Sequence, residues 1–367
     1  MRQQRNDCMK IALINSIMPQ QGSGDGMTEY TYQLYKRLKK TNEVDIIYSI
    51  KKSKRNDVRG LVYTYFLFSK RIKELAKKDY DIIHITNQEM GFAARILKEN
   101  GSKAKIIVTV HDLMRLKQGF NKGLLQNKYD KLVKESVKNA FNYSDYIIFS
   151  AKSVEIDAAK ILGIYKKHAT ILLGPRDTFV NTKVTRKNSK AIYTIGYIGA
   201  LSHRKNVIFI LRTALQMRSK SQYRFMIYGS GPELQNLQKF KSDNNLDNVF
   251  FMGFAPEKKL LLIYDSFDLF FYPTLEEGSS LPMLDAQARG LPVVILRNNM
   301  VDKPVTKYCF KVGNEKSAAD MIERLLQGGY SEKQRSVEIK YAKGFSWDNI
   351  SSKTMQVYSE LLNQSNR

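Results

Sequence analysis

The chain has 367 residues, 43% hydrophobic and 26% charged, which leaves room for two domains with cores of their own and excludes a disordered or collagen-like polypeptide. Its two cysteines, Cys8 and Cys309, are far apart in sequence and match no metal-ligand spacing, so no disulfide is expected, and no apolar run approaches the roughly 18 residues of a membrane-spanning helix. The formal charge of +25, heaviest in the first half, suits an anionic surface, lipid or nucleic acid, without choosing between them.

Met1–Met9 is short and polar, which gives no expectation of a signal peptide; the cysteine usage leads us to expect a cytoplasmic setting. Short apolar runs then alternate with amphipathic helical patterns. Strands are expected at Lys10–Asn15, Val44–Tyr48, Asp81–Ile85, Lys105–Val110, Tyr146–Phe149 and Thr170–Leu172. Helices are expected between them, as at Met27–Lys40 and Glu89–Glu99. In the first, Met27, Tyr30, Thr31, Leu34, Tyr35 and Leu38 follow the i, i+3, i+4 rule. Arg176–Lys190 is polar and aperiodic and reads as a linker. The alternation restarts with strand Ile192–Ile198, helix Asn206–Met217, strand Arg224–Tyr228 and helix Pro232–Asp243. It continues with strand Val249–Met252, helix Pro256–Tyr264, strand Leu269–Tyr272, helix Pro282–Arg289 and strand Pro292–Leu296. Ser346–Leu362 reads as a closing helix with Ser346 as N-cap and Trp347, the single tryptophan, as a packing anchor. Apolar strands alternating with helices indicate parallel sheets with helices on both faces. The expectation is α/β: a Rossmann-like domain over 1–178, a second over 190–345, and a last helix, about 346–367, packed back on the first. Two such sheets in tandem place a ligand at the carboxyl ends of their strands.

The strongest chemical signal runs from Tyr272 to Val294: Tyr-Pro-Thr-Leu-Glu-Glu-Gly-Ser-Ser-Leu-Pro-Met-Leu-Asp-Ala-Gln-Ala-Arg-Gly-Leu-Pro-Val-Val. A strand ends at Pro273, a short loop with Gly278, Ser279 and Ser280 follows, and a helix starts near Leu281 with Pro282 in its first turn. The free N–H groups and the dipole of such a start suit a phosphate. Glu277 stands before this anion site and Asp285 follows after seven intervening residues, each able to accept hydrogen bonds from sugar hydroxyls.

This stretch resembles the E-x7-E signature of the family 4 retaining glycosyltransferases, E-G-F-G-L-P-x-L-E-A-x-A-x-G-x-P-V. Other landmarks of that family follow in order over nearly the whole chain. Gly22–Tyr30 is similar to its glycine-rich first loop, and Thr109-Val-His-Asp112 to its T-x-H-D strand end. Ile198-Gly-Ala-Leu-Ser-His-Arg-Lys-Asn206 is similar to its G-R-L-S-x-x-K-N loop. Tyr228-Gly-Ser-Gly-Pro-Glu233 resembles its G-x-G-P-E turn, and Phe251-Met-Gly-Phe254 its F-x-G strand end.

The resemblance implies a GT-B architecture, two Rossmann-like doubly wound domains facing each other across a cleft. It implies a retaining glycosyltransferase that moves a sugar from a nucleoside diphosphate to a hydroxyl of a glycan or lipid-linked acceptor. Glu277 would bind hydroxyls of the transferred sugar, and Asp285 stands where a Glu binds the ribose. Lys205 would neutralise the diphosphate, with Arg204 beside it. His111 would lie across the cleft near sugar and acceptor. Gly24 and Gly26 would let backbone approach phosphate or acceptor, and Gly229 and Gly231 would flank the nucleotide base. Gly278, Ser279, Ser280 and Leu281 would form the phosphate turn. No cofactor beyond the UDP-, GDP- or ADP-sugar donor is implied. No metal is expected either, since Lys205 and the helix start near Leu281 would stabilise the departing charge. Three departures bear on donor affinity: Ala200 replaces the loop's usual Arg, Asp285 is one methylene shorter than Glu, and Ser279-Ser280 replaces Phe-Gly.

Two basic stretches suggest peripheral docking on an anionic membrane. The first carries Lys51, Lys52, Lys54, Arg55, Arg59, Lys70, Arg71, Lys73, Lys77 and Lys78 among Tyr63, Tyr65, Phe66 and Phe68. The second, Arg115–Lys138, interleaves lysines with Leu116, Phe120, Leu124, Leu125, Tyr129, Leu132 and Val133. That reading puts the protein on the inner face of the cell membrane. A nucleotide-sugar epimerase or a catalytically weak relative is an alternative on the same fold. A basic nucleic-acid-binding protein is the alternative of another class, but no recognition module is present, so no nucleic-acid partner is expected. The sugar, the base and the oligomeric state are not readable.

Overall fold

Ile11, Ala12, Leu13 and Ile14, four consecutive apolar residues with no exposed surface, show why the strands read as continuous hydrophobic runs: each lies inside a parallel sheet. The computed structural model describes residues 8–18, 26–50, 63–117, 123–163, 166–184 and 191–364. Gly24, Lys51, Lys52, Lys54, Arg55, Arg59 and Phe120, singled out above, lie outside the described residues.

The chain divides into two units, 1–172 with 347–367, and 173–346. The first unit holds β1 (Lys10–Ile17), β2 (Glu43–Ile50), β3 (Ile82–Ile85), β4 (Lys105–Val110), β5 (Tyr146–Phe149) and β6 (His168–Thr170). They form one parallel sheet in the order β2-β1-β3-β4-β5-β6. Its helices of eight residues or more are α1 (Gly26–Leu38), α2 (Phe68–Ala76), α3 (Phe92–Glu99), α4 (Gly123–Tyr143) and α5 (Lys152–Leu162). The second unit holds β7 (Tyr193–Ile198), β8 (Tyr223–Tyr228), β9 (Val249–Gly253), β10 (Leu269–Phe271), β11 (Val293–Leu296) and β12 (Phe310–Val312). These order as β12-β11-β10-β7-β8-β9, also parallel. Its helices are α6 (Val207–Gln216), α7 (Leu234–Asp243), α8 (Glu257–Ser266), α9 (Leu281–Ala288), α10 (Glu315–Arg324) and α11 (Glu332–Lys343). The last helix, α12 (Trp347–Gln364), belongs to the first unit.

Strand order locates the ligand side of each sheet. In the second unit the chain winds outward from β7 through β8 to β9, then returns to β10 on the other side of β7. The order reverses between β7 and β10, and open α/β sheets bind ligands beyond the carboxyl ends of the two strands that flank such a reversal. The loops after β7 and β10 therefore frame the ligand side of this sheet.

Three expectations need correction. The strand expected at Thr170–Leu172 pairs instead through His168–Thr170, because those residues register with Ile147–Phe149 of β5. The expected linker Arg176–Lys190, and the first-domain limit at 178, also shift. The division falls after Leu172, and the described residues 173–184 pack inside the second unit. Phe179, 1% exposed, meets Tyr264 edge-on at 5.1 Å. The buried Arg289 guanidinium takes the carbonyls of Thr182 and Lys183 at 2.8 and 3.2 Å. A polar stretch without period looks like free loop, yet a buried arginine needs acceptors, and this backbone supplies them.

Candidate active site

The loop after β7 and the loop after β10 are stitched together by backbone. Leu275 N–H donates to the Arg204 carbonyl at 2.9 Å, and Thr274 Oγ1 donates to the same oxygen at 3.3 Å. Glu277 N–H donates to Met300 O at 3.2 Å, fixing the outer edge of the turn. This framework brings Lys205 and Glu277, 72 residues apart in sequence, into direct contact. Lys205 Nζ donates to Glu277 Oε2 and, at 2.6 Å, to the Tyr272 hydroxyl, which itself donates to Glu277 Oε2 at 3.1 Å. Arg204 Nη1 lies 3.3 Å from Glu277 Oε1 and donates to the Glu276 carbonyl at 2.7 Å. Lys205 is 6% exposed. Its neighbour Asn206 takes a left-handed backbone, φ 50°, which an asparagine tolerates at the start of α6.

The electrostatics follow from burial. Burial pulls the Lys205 ammonium below its ordinary value, with the Glu277 charge opposing. Burial pushes Glu277 up, but Lys205 and then Arg204 outweigh it and hold the carboxyl below its ordinary value. The Tyr272 phenol is pushed well up, first by burial and then by the Glu277 charge, so it stays a hydrogen-bond donor. Tyr272 stacks on Tyr197 at 5.7 Å, and the Tyr197 hydroxyl donates to Ala200 O at 2.9 Å. Ala200 itself is exposed, and Arg204, the neighbouring cation, is turned toward Glu276 and Glu277.

The turn after Glu277 leads into α9. Gly278 and Ser279 are half-buried, Ser280 is 1% and Leu281 5% exposed. Ser280 is the N-cap, yet its side chain makes no capping hydrogen bond, and its Oγ has no partner. Ser279 Oγ accepts the Leu173 N–H at 3.2 Å. Asp285, on the second turn of α9, has no exposed surface. Its Oδ1 accepts the Arg176 backbone N–H at 2.9 Å and its Oδ2 accepts the Arg176 guanidinium. Burial nevertheless raises its carboxyl to about 6, with Arg176 opposing.

Gly229 and Gly231 answer to packing. A Cβ on Gly229, φ +146°, would meet Gly199 O at 1.8 Å, and one on Gly231 would meet Leu201 O at 2.3 Å. The β8 loop therefore lies directly on the β7 loop, with Leu201 N–H donating to Ser230 O at 2.9 Å.

In the first unit, Gly26 is exposed at the first residue of α1. His111 follows β4, 8% exposed, with Nε2 3.0 Å from Thr86 O and its backbone N–H donating to Gln88 Oε1 at 3.1 Å. The Tyr30 ring meets it edge-on at 4.9 Å. Beneath it His84, not singled out in the sequence, bridges Tyr358 Oη at 2.6 Å and Thr109 Oγ1 at 2.7 Å, and burial pushes it down to about 3. Sequence reasoning also missed Tyr272, Arg176 and Glu257, and did not bring Lys205 and Glu277 into contact. Here the reversal of strand order between β7 and β10 brings the two loops together.

Comparison with known proteins fits this geometry. The "Glycosyltransferase Family 4" model matches residues 24–178 and the "Glycosyl transferases group 1" model residues 192–328. O-antigen chain mannosyltransferase B of Escherichia coli is 27% identical over 174 residues, 45% of each chain. Like it, the first curated relatives are matched over about half of their length or less. Sucrose-phosphate synthase of Thermosynechococcus elongatus superposes with a TM-score of 0.71 at 18% identity, covering 96% of this chain and 99% of that one. Anabaena HepE in complex with UDP-glucose superposes at 0.69 with 14% identity, covering 96% and 100%. The fold is GT-B. A Family 4 model on the first half and a group 1 model on the second together support a glycosyltransferase of GT-B fold.

Proposed function

We propose that the protein transfers a sugar from a nucleoside diphosphate to a hydroxyl of a glycan or lipid-linked acceptor, with retention and without a metal, at an anionic membrane surface. The observation that carries this reading is the Lys205–Glu277 contact at the point where strand order reverses, beside a helix start whose N-cap side chain leaves the anion site open. Diphosphate oxygens accept from Lys205 and from the first N–H groups of α9, which stabilise the charge that develops on the leaving group. Glu277, released from Lys205 by the phosphate, accepts hydrogen bonds from the sugar. The bond from the anomeric carbon to the phosphate oxygen breaks, and the acceptor oxygen bonds to that carbon. The acceptor's proton passes to the departing diphosphate. Retention comes to this chain from the family resemblance. Among the relatives, O-antigen chain mannosyltransferase B carries a name that supports a polysaccharide acceptor. His111 is assigned to the sugar or acceptor on the same resemblance.

Membrane association is supported by α2. Lys70, Arg71, Lys73, Lys77 and Lys78 are all exposed, and Phe66 and Leu67 stand out beside them, 69% and 52% exposed. Tyr65 and Phe68 face inward, Tyr65 against Phe92 at 5.0 Å and Phe68 2% exposed, so Phe66 and Leu67 form the insertable pair. Five such cations, at about 1 kcal/mol each near an anionic surface, suffice for reversible binding. No helix among the described residues is long and apolar enough to cross a membrane.

The test is turnover of UDP-, GDP- and ADP-sugars by the wild type, Glu277→Ala and Lys205→Ala, with and without a chelator. The expectation is a loss of about a hundredfold or more in each variant and no effect of chelation. Wild-type rates in both variants remove the site, and chelator sensitivity removes the metal-free mechanism.

A further inference from the structure

The carboxylate that the family resemblance assigns to the ribose has no exposed surface. Asp285 is 0% exposed, and both of its oxygens are taken by Arg176, one by the backbone N–H and one by the guanidinium. A ribose hydroxyl could displace Arg176 only by leaving a buried carboxylate uncompensated. The short aspartate side chain stops one carbon nearer the helix than a glutamate would, and the guanidinium fills the space in front of it.

The charge is handed outward instead. Arg176 Nε donates to Glu257 Oε1 at 2.8 Å, and the Arg176 and Glu257 side chains keep 15% and 18% of their surface exposed. Glu257 is the first residue of α8, just beyond the carboxyl end of β9, while α9 follows the carboxyl end of β10. Both helix starts therefore lie on the ligand side of the same sheet. Tyr264 Oη of α8 donates to Pro282 O of α9 at 3.2 Å and holds the two helices in register.

We propose that the ribose of the donor nucleotide is bound by Glu257 and Arg176, and that Asp285 is a positioning residue that acts on it only through Arg176. A ribose offers two neighbouring hydroxyls. The Glu257 carboxylate accepts from them, the Arg176 guanidinium donates to one, and Asp285 fixes the guanidinium. The inference rests on the nucleotide-sugar reading above and relocates the acidic ribose contact from 285 to 257.

The experiment titrates the full chain with UDP, GDP and ADP and with their 2′,3′-dideoxy counterparts. Its readout is the ratio of dissociation constants with and without ribose hydroxyls. The wild type should prefer the ribose form of its nucleotide by about tenfold or more, as hydrogen bonds to charged groups allow. Glu257→Gln, a half-buried residue at a helix start, should lose that preference while binding the dideoxy form as the wild type does. Asp285→Asn should reduce the preference in the wild-type background and change nothing further in an Arg176→Met background. Retention of the full preference by Glu257→Gln overturns the proposal alone, as does an equal effect of Asp285→Asn in both backgrounds. A wild type that binds none of the three diphosphates overturns the donor reading together with it.

Discussion

Removing either member of the Lys205–Glu277 pair should produce opposite pH profiles of stability. In Lys205→Met the carboxylate keeps Arg204 at 3.3 Å and the Tyr272 hydroxyl at 3.1 Å but loses its main cation. Burial, the largest influence on Glu277, is then opposed by Arg204 without Lys205, and the expectation is that burial prevails and the folded-state pKa rises above the ordinary 4.5. A carboxyl shifted that way holds its proton longer folded than unfolded, so stability falls as pH rises above the unfolded value and recovers on acidification. In Glu277→Gln the ammonium is left buried and its pKa falls further below the ordinary 10.5. That variant is weakest at low and neutral pH and recovers as pH rises toward the unfolded lysine value. Breaking a buried pair from one side costs about 3–5 kcal/mol, so both losses at pH 7 are measurable. The double variant, with no orphaned charge, should cost clearly less than the sum. Trp347, the single tryptophan, lies in the first unit and does not report on this sheet. The assay is therefore native-state hydrogen exchange of the β7 and β10 amides between pH 5 and pH 9. Parallel profiles in the two single variants, or additive losses, would refute the reasoning.

Three further outcomes follow from other parts of the molecule. Gly231→Ala puts a Cβ 2.3 Å from Leu201 O, so the β7 loop must shift; a cost of about 1–3 kcal/mol is expected, with weaker nucleotide binding by calorimetry, and a variant with wild-type melting and affinity contradicts it. Glu338, buried and accepting from Tyr330 Oη at 3.0 Å, is pushed by burial to about 7, which lowers stability progressively from pH 4.5 to 7. Glu338→Gln should therefore gain stability relative to wild type at pH 8, by up to about 3 kcal/mol, and not at pH 4; a pH-independent difference in denaturant midpoint rules this out. Phe66→Ser with Leu67→Ser should weaken sedimentation with phosphatidylglycerol vesicles while leaving the melting temperature unchanged, since both side chains are exposed; undiminished vesicle binding excludes this face.

The strands were legible because parallel sheets demand unbroken apolar runs, and β4 and β5 match their expected limits. What escaped has physical reasons. β12, Phe310–Val312, is only three residues and has Lys311 exposed at its centre, so it lacks the apolar run that marks the equally short β10. α10 and α11 were passed over although each opens with a reciprocal capping box, Asn314 with Ser317 and Ser331 with Gln334, a local signal available in the sequence. Arg176 was hidden in a polar stretch because its partner, Asp285, lies 109 residues away. The signature motif drew attention to Glu277 and Asp285 but not to their different surroundings. One faces a lysine at the strand reversal, the other is sealed beneath an arginine, and only burial separates them.

The position of α12 sets an order of assembly. Residues 173–346 form an uninterrupted unit, whereas the earlier sheet waits for residues 347–367. Until they arrive, the His84 imidazole lacks Tyr358 and the Tyr30 ring lacks Trp347. On the ribosome the part of the chain made first is thus the last to finish. A nascent chain stalled after Ser346 would hold one completed half and one with an open seam, where chaperones and proteases would act.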